Sequence, residues 1–382
     1  MSATWGCTML IVFSLLGVVA LLNGTGAIWM ALIEAVPLRW LRAHSFYRKP
    51  LAWALPALTL LWALLQPVFP LAVWGPLLVM ALSVVLTYRM HQSVAFPAVD
   101  FPAHAEAEVL PLRDEMEIAV VEHNGVTRAY ALDHLIHHHI INDRFGDRIV
   151  AVTYCAMCRS MIPFDVTEIG PLFVASFKGG NMIVGDRRTQ TWFQQASFQS
   201  LMGPLHPREL EMVGYQMLSW RELRASDDVP PFAAFTEADL KEFELPIPGV
   251  WRKIMASEVT PGLSRAKHDT SLPARTHVIG VLERGLPPLA VERDAVRAAG
   301  VVPLAEIGVV LISGGGGVVG FHQDGRQLSL RDLHIVDAAT GEQWTLRGKA
   351  LAGQGDLRPV ALSDEYWFSW KLFHPSARLL RP

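Results

Sequence analysis

Cysteine is scarce in this sequence. Three cysteines in 382 residues are too few for a disulfide framework. Cys7 lies inside an apolar N-terminal run, which leaves Cys155 and Cys158 as the only close pair. A basic excess is also missing. Lys and Arg number 33 against 36 Asp and Glu, the formal net charge is −3, and no basic block occurs. No nucleic-acid partner is therefore expected. The chain lacks a Ser/His/Asp elbow, a zinc-protease helix motif and a dinucleotide fingerprint. Gly314-Gly315-Gly316-Gly317 resembles a phosphate loop only superficially, because Val318-Val319 follow where Gly-Lys-Ser/Thr is needed.

Apolar residues, in contrast, are abundant. They make up 51 % of the chain, and the mean hydropathy is +0.28. Twelve tryptophans suit membrane-interface anchoring as well as core packing. Residues 1–90 read as a membrane region with about three transmembrane helices, over 9–33, 51–66 and 71–88. Asn23-Gly24-Thr25-Gly26 interrupts the first run, and a plain span is preferred there over a re-entrant or helix-packing segment. Gln66 to Pro70 reads as a tight turn between the last two spans. Arg39, Arg42, Arg48 and Lys49 place the first loop in the cytoplasm, and three crossings then put the large domain there too. Membrane lipid is the partner this region implies.

Residues 91–116 read as a linker rich in Pro, Ala and acidic residues. Beyond it the pattern becomes that of a β-rich α+β protein. Glu117 to Glu122 and Val126 to Ala131 read as strands joined at Asn124-Gly125, a strong hairpin signal. Leu132 to His139 reads as a short helix, and Asp147 to Tyr154 as a strand leading into Cys155. The same order recurs after residue 276, with a turn at Gly285. Asp186…Thr189…Trp192 is matched by Asp337…Thr340…Trp344, and Ser219-Trp220 by Ser369-Trp370. Two similar units are inferred, 117–225 and 277–382, joined by a connector over 226–276 with a helix near Glu237 to Phe243. Aligning Val310 with Val152 sets Ser313 opposite Cys155 and Gly316 opposite Cys158, so only the first unit carries sulfur.

Cys155-Ala156-Met157-Cys158 is the candidate site. Two sulfurs this close suit a reversible disulfide or half of a metal site. In the redox reading Cys155 attacks and Cys158 resolves, with Arg159 beside them to favour thiolate. The partner would be a protein or small-molecule redox partner, attacked as a disulfide or another oxidised substrate. In the metal reading Cys155, Cys158, Met157 and His138 form a soft set for copper or zinc, although a second Cys-x-x-Cys is missing. In the third reading both cysteines merely pack in a structural or partner-binding protein. Asp186, Thr189, Trp192 and Gln194-Gln195 form a further cluster, in which Asp-x-x-Thr closes a turn by side-chain-to-backbone bonds.

From Glu117 to Pro382 the chain resembles the bacterial and archaeal family catalogued as domain of unknown function 3179. The residues that carry the resemblance are Arg128-Ala129-Tyr130, His138…Asn142-Asp143, Thr153-Tyr154-Cys155-x-x-Cys158, Asp186…Thr189…Trp192-x-Gln194-Gln195, Gly203-Pro204 and Asp337…Thr340-Gly341…Trp344…Gly348…Gly353. The resemblance implies supporting roles for Tyr154, Asn142 and Asp143 around the cysteine turn. It implies selenocysteine near this turn in some relatives, which favours redox chemistry, and it implies export, against the loop charges. The chain departs from the pattern in three places. Ala156-Met157 stands where Pro-Leu is usual, His139 where an acidic residue is usual, and Phe198 where glycine is usual.

Overall fold

Apolar residues dominate much of the first ninety positions, and helices pair the backbone groups of that stretch within themselves. A computed structural model of the protein describes residues 3–66, 71–226, 228–236, 241, 252–253, 255–282 and 288–381. The expected turn at Pro67 to Pro70, the helix near Glu237 and the Gly285 turn lie outside the described residues. The chain divides into two units. The first holds residues 1–97 with 175–179 and 261–264, and the second holds the rest.

In the first unit, α1 (Ala3–Leu32), α2 (Leu38–Leu64) and α3 (Trp74–Arg89) pack on one another. Helices over Thr8–Leu32 and Leu71–Arg89 are long and apolar enough to cross a membrane. The second expected span departs from this. Its apolar run is the C-terminal part of α2, whose first turns carry Arg39, Arg42, Arg48 and Lys49. The apolar part alone is shorter than the ~20 residues a span needs. The Asn23–Gly26 patch does not interrupt α1. It is a packing surface: a Cβ on Gly24 would lie 2.8 Å from the Ser83 carbonyl oxygen, and one on Gly26 2.4 Å from the His44 ring.

The second unit mixes short helices with many strands in several sheets. β1 (Glu117–His123) and β2 (Val126–Ala131) form the expected hairpin. Asn124 and Gly125 both have positive φ, 49° and 71°, as a tight primed turn requires. The short helix α4 (Leu132–His138) follows and ends on His139 at φ 62°. Next come β3 (Ile140–Phe145), β4 (Arg148–Cys155) and β5 (Ser160–Asp165), an antiparallel meander. β6 (Leu172–Lys178), β7 (Asn181–Asp186) and β8 (Trp192–Gln194) lie in another sheet. β9 (Tyr215–Ser219) returns to pair with β1, and α5 (Trp220–Arg224) follows it.

The later strands keep this order. β10 (His277–Val281) pairs with β11 (Leu289–Glu292), and α6 (Arg293–Ala299) follows, ending on Gly300 at φ 73°. β12 (Val301–Leu304), β13 (Val309–Ile312) and β14 (Val319–His322) form a meander. So do β15 (Leu328–Arg331), β16 (His334–Asp337) and β17 (Gln343–Thr345). β18 (Leu362–Tyr366) pairs with β10, and α7 (Trp367–Phe373) follows.

Alternation along the strands decides the cores. Val150, Val152 and Tyr154 of β4 point into one cluster with Tyr130, Leu135 and Met217. Val309 and Leu311 of β13 point into another with Val291, Val296 and Leu362. Val310 and Ile312 point the other way, into a core shared with Ile118, Val120 and Leu218.

Two expected connections are structured. In the stretch 91–116, Val99–Asp100 pairs with β3. His104–Ala105 pairs with Phe232–Ala233, which itself lies parallel to β2. Edge backbone needs hydrogen-bond partners whatever its composition, so Pro-rich sequence here does not mean free linker.

The Gly-rich turn is dictated by close approach. A Cβ on Gly317 would lie 1.9 Å from the Met217 carbonyl oxygen. Gly125 has open space around it and only its positive φ to satisfy. Gly317→Ala is therefore expected to cost about 2–3 kcal/mol in urea unfolding. Gly125→Ala is expected to cost about 1 kcal/mol. Equal losses would refute the packing argument.

Candidate functional site

The cysteine turn is the β4–β5 connection. Cys155 closes β4 and faces Ser160, the first residue of β5. Ala156, Met157, Cys158 and Arg159 make the turn, with Arg159 at φ 58°. Neither thiol is in a disulfide. Cys155 retains 4 % exposure and Cys158 none.

Alternation puts Thr153 and Cys155 on one face of β4 and Tyr154 on the other. Tyr154 accordingly packs in the core with Tyr215 and Met217 rather than against the sulfurs. The Thr153 side meets a closed polar network. Asn181 Nδ2 donates to Cys158 Sγ at 3.0 Å, and Ser160 Oγ lies 3.4 Å from the same sulfur. Gln195 Oε1 accepts from Ser160 Oγ at 2.8 Å and from Asn181 Nδ2 at 3.0 Å. Gln195 Nε2 donates to Thr153 Oγ1 at 3.0 Å and to the Ser160 carbonyl at 3.1 Å. Gln194 Nε2 donates to Asn181 Oδ1 at 2.6 Å.

These surroundings split the two thiols. Burial alone pushes Cys155 up, but the Cys158 thiol and the backbone N–H groups of Cys158, Met182 and Met157 outweigh it and hold Cys155 below the usual thiol value. Burial and the neighbouring Cys155 push Cys158 well above it, only partly opposed by Ser160 and Asn181. The two shifts run in opposite directions, so Cys155 gives up its proton more readily than Cys158. The thiolate is the nucleophilic form.

Arg159 was expected to act on the sulfurs. Its guanidinium instead donates to Asp364 Oδ1 at 2.5 Å and to Glu117 Oε2. Arg293 donates to the other oxygen of Glu117 and lies 3.4 Å from Asp364. Two cations and two anions thus compensate one another. Burial pushes Glu117 up, but the two guanidiniums outweigh it and hold the carboxyl below its ordinary range. A cleft of about 620 Å³ borders Arg159 and Arg293, and neither cysteine lines it.

The strand β18 covers the turn from the other side. The Tyr366 N–H donates to the Cys158 carbonyl at 2.9 Å. Arg275 Nη1 donates to the Met157 carbonyl at 2.6 Å, and its guanidinium lies over the Phe368 ring at 4.6 Å.

The remaining expected residues sit elsewhere. Asn142 ties β3 to Asp100 at 2.8 Å and to the Leu172 carbonyl at 2.9 Å. Asp143 accepts from Tyr130 Oη at 2.7 Å and pairs with His104 at 2.8 Å. Asp186 closes its turn by accepting from the Thr189 amide at 2.5 Å, the Thr189 hydroxyl at 2.6 Å and the Thr191 amide at 2.8 Å. Trp192 is buried core. Of these polar residues only Gln194 touches the network around Cys158. Sequence reasoning missed Asn181, Arg275 and Glu365. Asn181 had one available signal, a polar residue at the head of an apolar strand.

His138 stacks on Phe235 with ring centroids 5.6 Å apart. Among the described residues no group of three or more His, Cys, Asp or Glu side chains is placed to hold a metal ion. The Gly-rich turn already holds an anion of its own. The Glu222 carboxylate accepts from the Gly316 and Gly317 amides, each at 2.9 Å.

His139 and Phe198 both adopt left-handed backbone, at φ 62° and 66°. At Phe198 that conformation favours the family's glycine, and an edge contact with Phe164 at 5.6 Å holds the aromatic residue there.

A family model described as a protein of unknown function, DUF3179, matches residues 94–377, most of the chain. Comparisons with curated proteins and with solved structures gave no match.

Two outcomes are expected. The alkylation rate of Cys155 in the native protein should reach half its maximum at a lower pH than in the same protein unfolded in urea. A midpoint at or above that of the unfolded protein would contradict the assigned asymmetry. Glu117→Gln should lower stability by about 2–3 kcal/mol at neutral pH, by leaving Arg159 and Arg293 undercompensated. Because the folded pKa of Glu117 is depressed, its contribution is complete above the unfolded carboxyl value of about 4.3 and is lost as pH falls through the folded one. Urea unfolding of both proteins across that window checks the sign.

Proposed function

We propose, from the premise that the chain belongs to the DUF3179 family, that it is a membrane-anchored thiol-disulfide redox protein working through Cys155 and Cys158. The observation that carries this reading is a pair of free thiols on one turn, with Asn181 Nδ2 donating to Cys158 Sγ at 3.0 Å; the surroundings lower Cys155 and raise Cys158. Packing alone does not require a network of Asn181, Gln195 and Ser160 around a sulfur. The substrate class is a disulfide, carried by a protein or a small molecule.

In the proposed step, the Cys155 thiolate attacks one sulfur of the substrate disulfide, and the other sulfur leaves as thiolate. Cys158 then loses its proton and attacks Cys155, releasing the second substrate thiolate. The dithiol supplies two electrons and becomes the Cys155–Cys158 disulfide. A thiol reductant returns it to the starting state. Cys155 is the sulfur with residual exposure, so it meets the substrate first.

The anchor reading is also ours. α1 and α3 run parallel, with Gly17 against Pro76, Gly24 against Ser83, and Ala27 accepting from Gln92 at 2.8 Å. α2 runs back between them, with Phe13 against Trp62 and His44 bonded to the Asn23 carbonyl at 2.9 Å. Two parallel spans need a return, which supports three crossings despite the polar start of α2. The basic residues of α2 then favour the cytoplasmic side for the chain beyond residue 97.

We further infer that 117–225 and 277–382 arose by duplication. Their shared strand order supports it. So do matching bonds, Tyr154 N–H to the His139 carbonyl at 2.7 Å and Ser313 N–H to the Gly300 carbonyl at 2.8 Å. That register shifts the sequence match by one residue. Ser313 takes the place of Tyr154, and Gly314 that of Cys155. Trp220 corresponds to Trp367 rather than Trp370, since each opens the helix after the strand that pairs with the first strand of its unit.

Redox titration with mass-spectrometric trapping of Cys155 and Cys158 tests the main reading. A reversible two-electron couple is expected in the full chain, and its loss in Cys155→Ser. Resistance of both thiols to alkylating reagents in the folded protein would overturn it and favour mere packing. A reporter fused after Pro382 tests the anchor: activity confined to the periplasm contradicts the assigned side.

A further inference from the structure

Resolution by a fully buried thiol needs a place for its proton, and bulk water does not reach Cys158. We propose that Glu365 is that place, the carboxylate that takes up the Cys158 proton as the thiol attacks Cys155. The inference rests on the redox reading above and names a further residue for it.

Three observations support it. Strand β18 is fastened to the turn at the residue next to Glu365, through the bond from the Tyr366 N–H to the Cys158 carbonyl at 2.9 Å. Glu365 is 2 % exposed and in no ion pair among the described residues. Its Oε1 accepts from Ser363 Oγ at 2.7 Å, and its Oε2 is buried with no close partner beyond the neighbouring Ser369 hydroxyl. A buried carboxyl met by hydroxyls and no cation is costly for a purely structural role.

The electrostatics agree with that geometry. Burial pushes Glu365 up to about 8, with Cys158 and Asp364 adding to the rise and Ser369 and Ser363 opposing it. Its neighbours are few. On β18 these are Ser363 and Asp364, from the turn Cys158, and from α7 Ser369. The residue opposite on β10 is Val278. Asp364 is taken up by Arg159 and Arg293, and Arg275 by the Met157 carbonyl. No cation among the described residues is paired with Glu365, and the carboxyl and the thiol compete for one proton.

In the step, the Cys158 S–H bond breaks and its proton goes to Glu365 Oε2. The sulfur electron pair forms the bond to Cys155, and the bond from Cys155 to the substrate sulfur breaks. The substrate leaves as thiolate, reduced by two electrons together with its first half. In the reverse direction Glu365 returns the proton to the Cys158 thiolate.

An aromatic disulfide such as dithiobis(nitrobenzoate) separates the two halves in the full-length protein. One thiolate is released when Cys155 attacks, and a second when Cys158 resolves. In Glu365→Gln the first release should keep its rate, and the second should slow by roughly a hundredfold. The inflection of the second release near pH 8 should disappear. An unchanged second release with the inflection intact overturns the role of Glu365 and leaves the redox reading standing. No first release from the unmodified protein overturns the redox reading itself. Infrared difference spectra of the unmodified protein, dithiol minus disulfide, read the same group without a substitution. A protonated-carboxyl band that changes with redox state, and is absent from the Glu365→Gln spectra, is expected. Its absence from the unmodified protein overturns the proposal even where Glu365→Gln fails to fold.

Discussion

Four charges set the frame for the cysteine turn. Arg159 leaves the turn in a left-handed conformation and is held by Glu117 from β1 and Asp364 from β18. Arg293, at the head of α6, completes the set against the same two acids. Such charges are tolerated in the interior only when compensated, so the four residues are placed together or not at all. The sequence separations are large, 205 residues between Arg159 and Asp364. The turn therefore takes its shape only when distant parts of the chain have come together.

This arrangement divides labour between charge and chemistry. The arginine that adjoins the cysteines in sequence is spent on structure. The sulfurs are tuned by neutral groups instead: amides, Asn181, Ser160 and each other. Neutral donors fix a proton position without drawing in a counter-ion or water. The Gly-rich turn shows a contrasting solution. There the amides of Gly316 and Gly317 hold the Glu222 carboxylate, supplied by the capping box of α5. One turn carries sulfur and hydroxyl groups around it, and the other is filled by an internal anion.

Local signals were readable where the physics is local. Asn124-Gly125 demanded a primed turn, and both residues have the positive φ that such a turn needs. Apolar alternation located the strands of both sulfur-bearing and glycine-bearing meanders. Asp186 and Thr189 were legible as a turn because the bonds that close it span three residues. Asn142 and Asp143 were less so: their partners Asp100, Leu172, His104 and Tyr130 come from four separate segments. Asn181, Arg275 and Glu365 carry no motif, because each acquires its meaning from a neighbour it does not have in sequence.

The Cys-x-x-Cys spacing by itself determined that two sulfurs would share one turn, and the apolar strand before it determined that they would be buried. Which sulfur gives up its proton more readily was decided by the tertiary structure alone. Asn181 and Ser160 reach Cys158, backbone amides reach Cys155, and Glu365 is brought up by β18 from more than 200 residues away. Spacing fixes covalent reach, but the energy of a charge depends on burial and on dipoles within a few ångströms. Those are set only when the chain has folded.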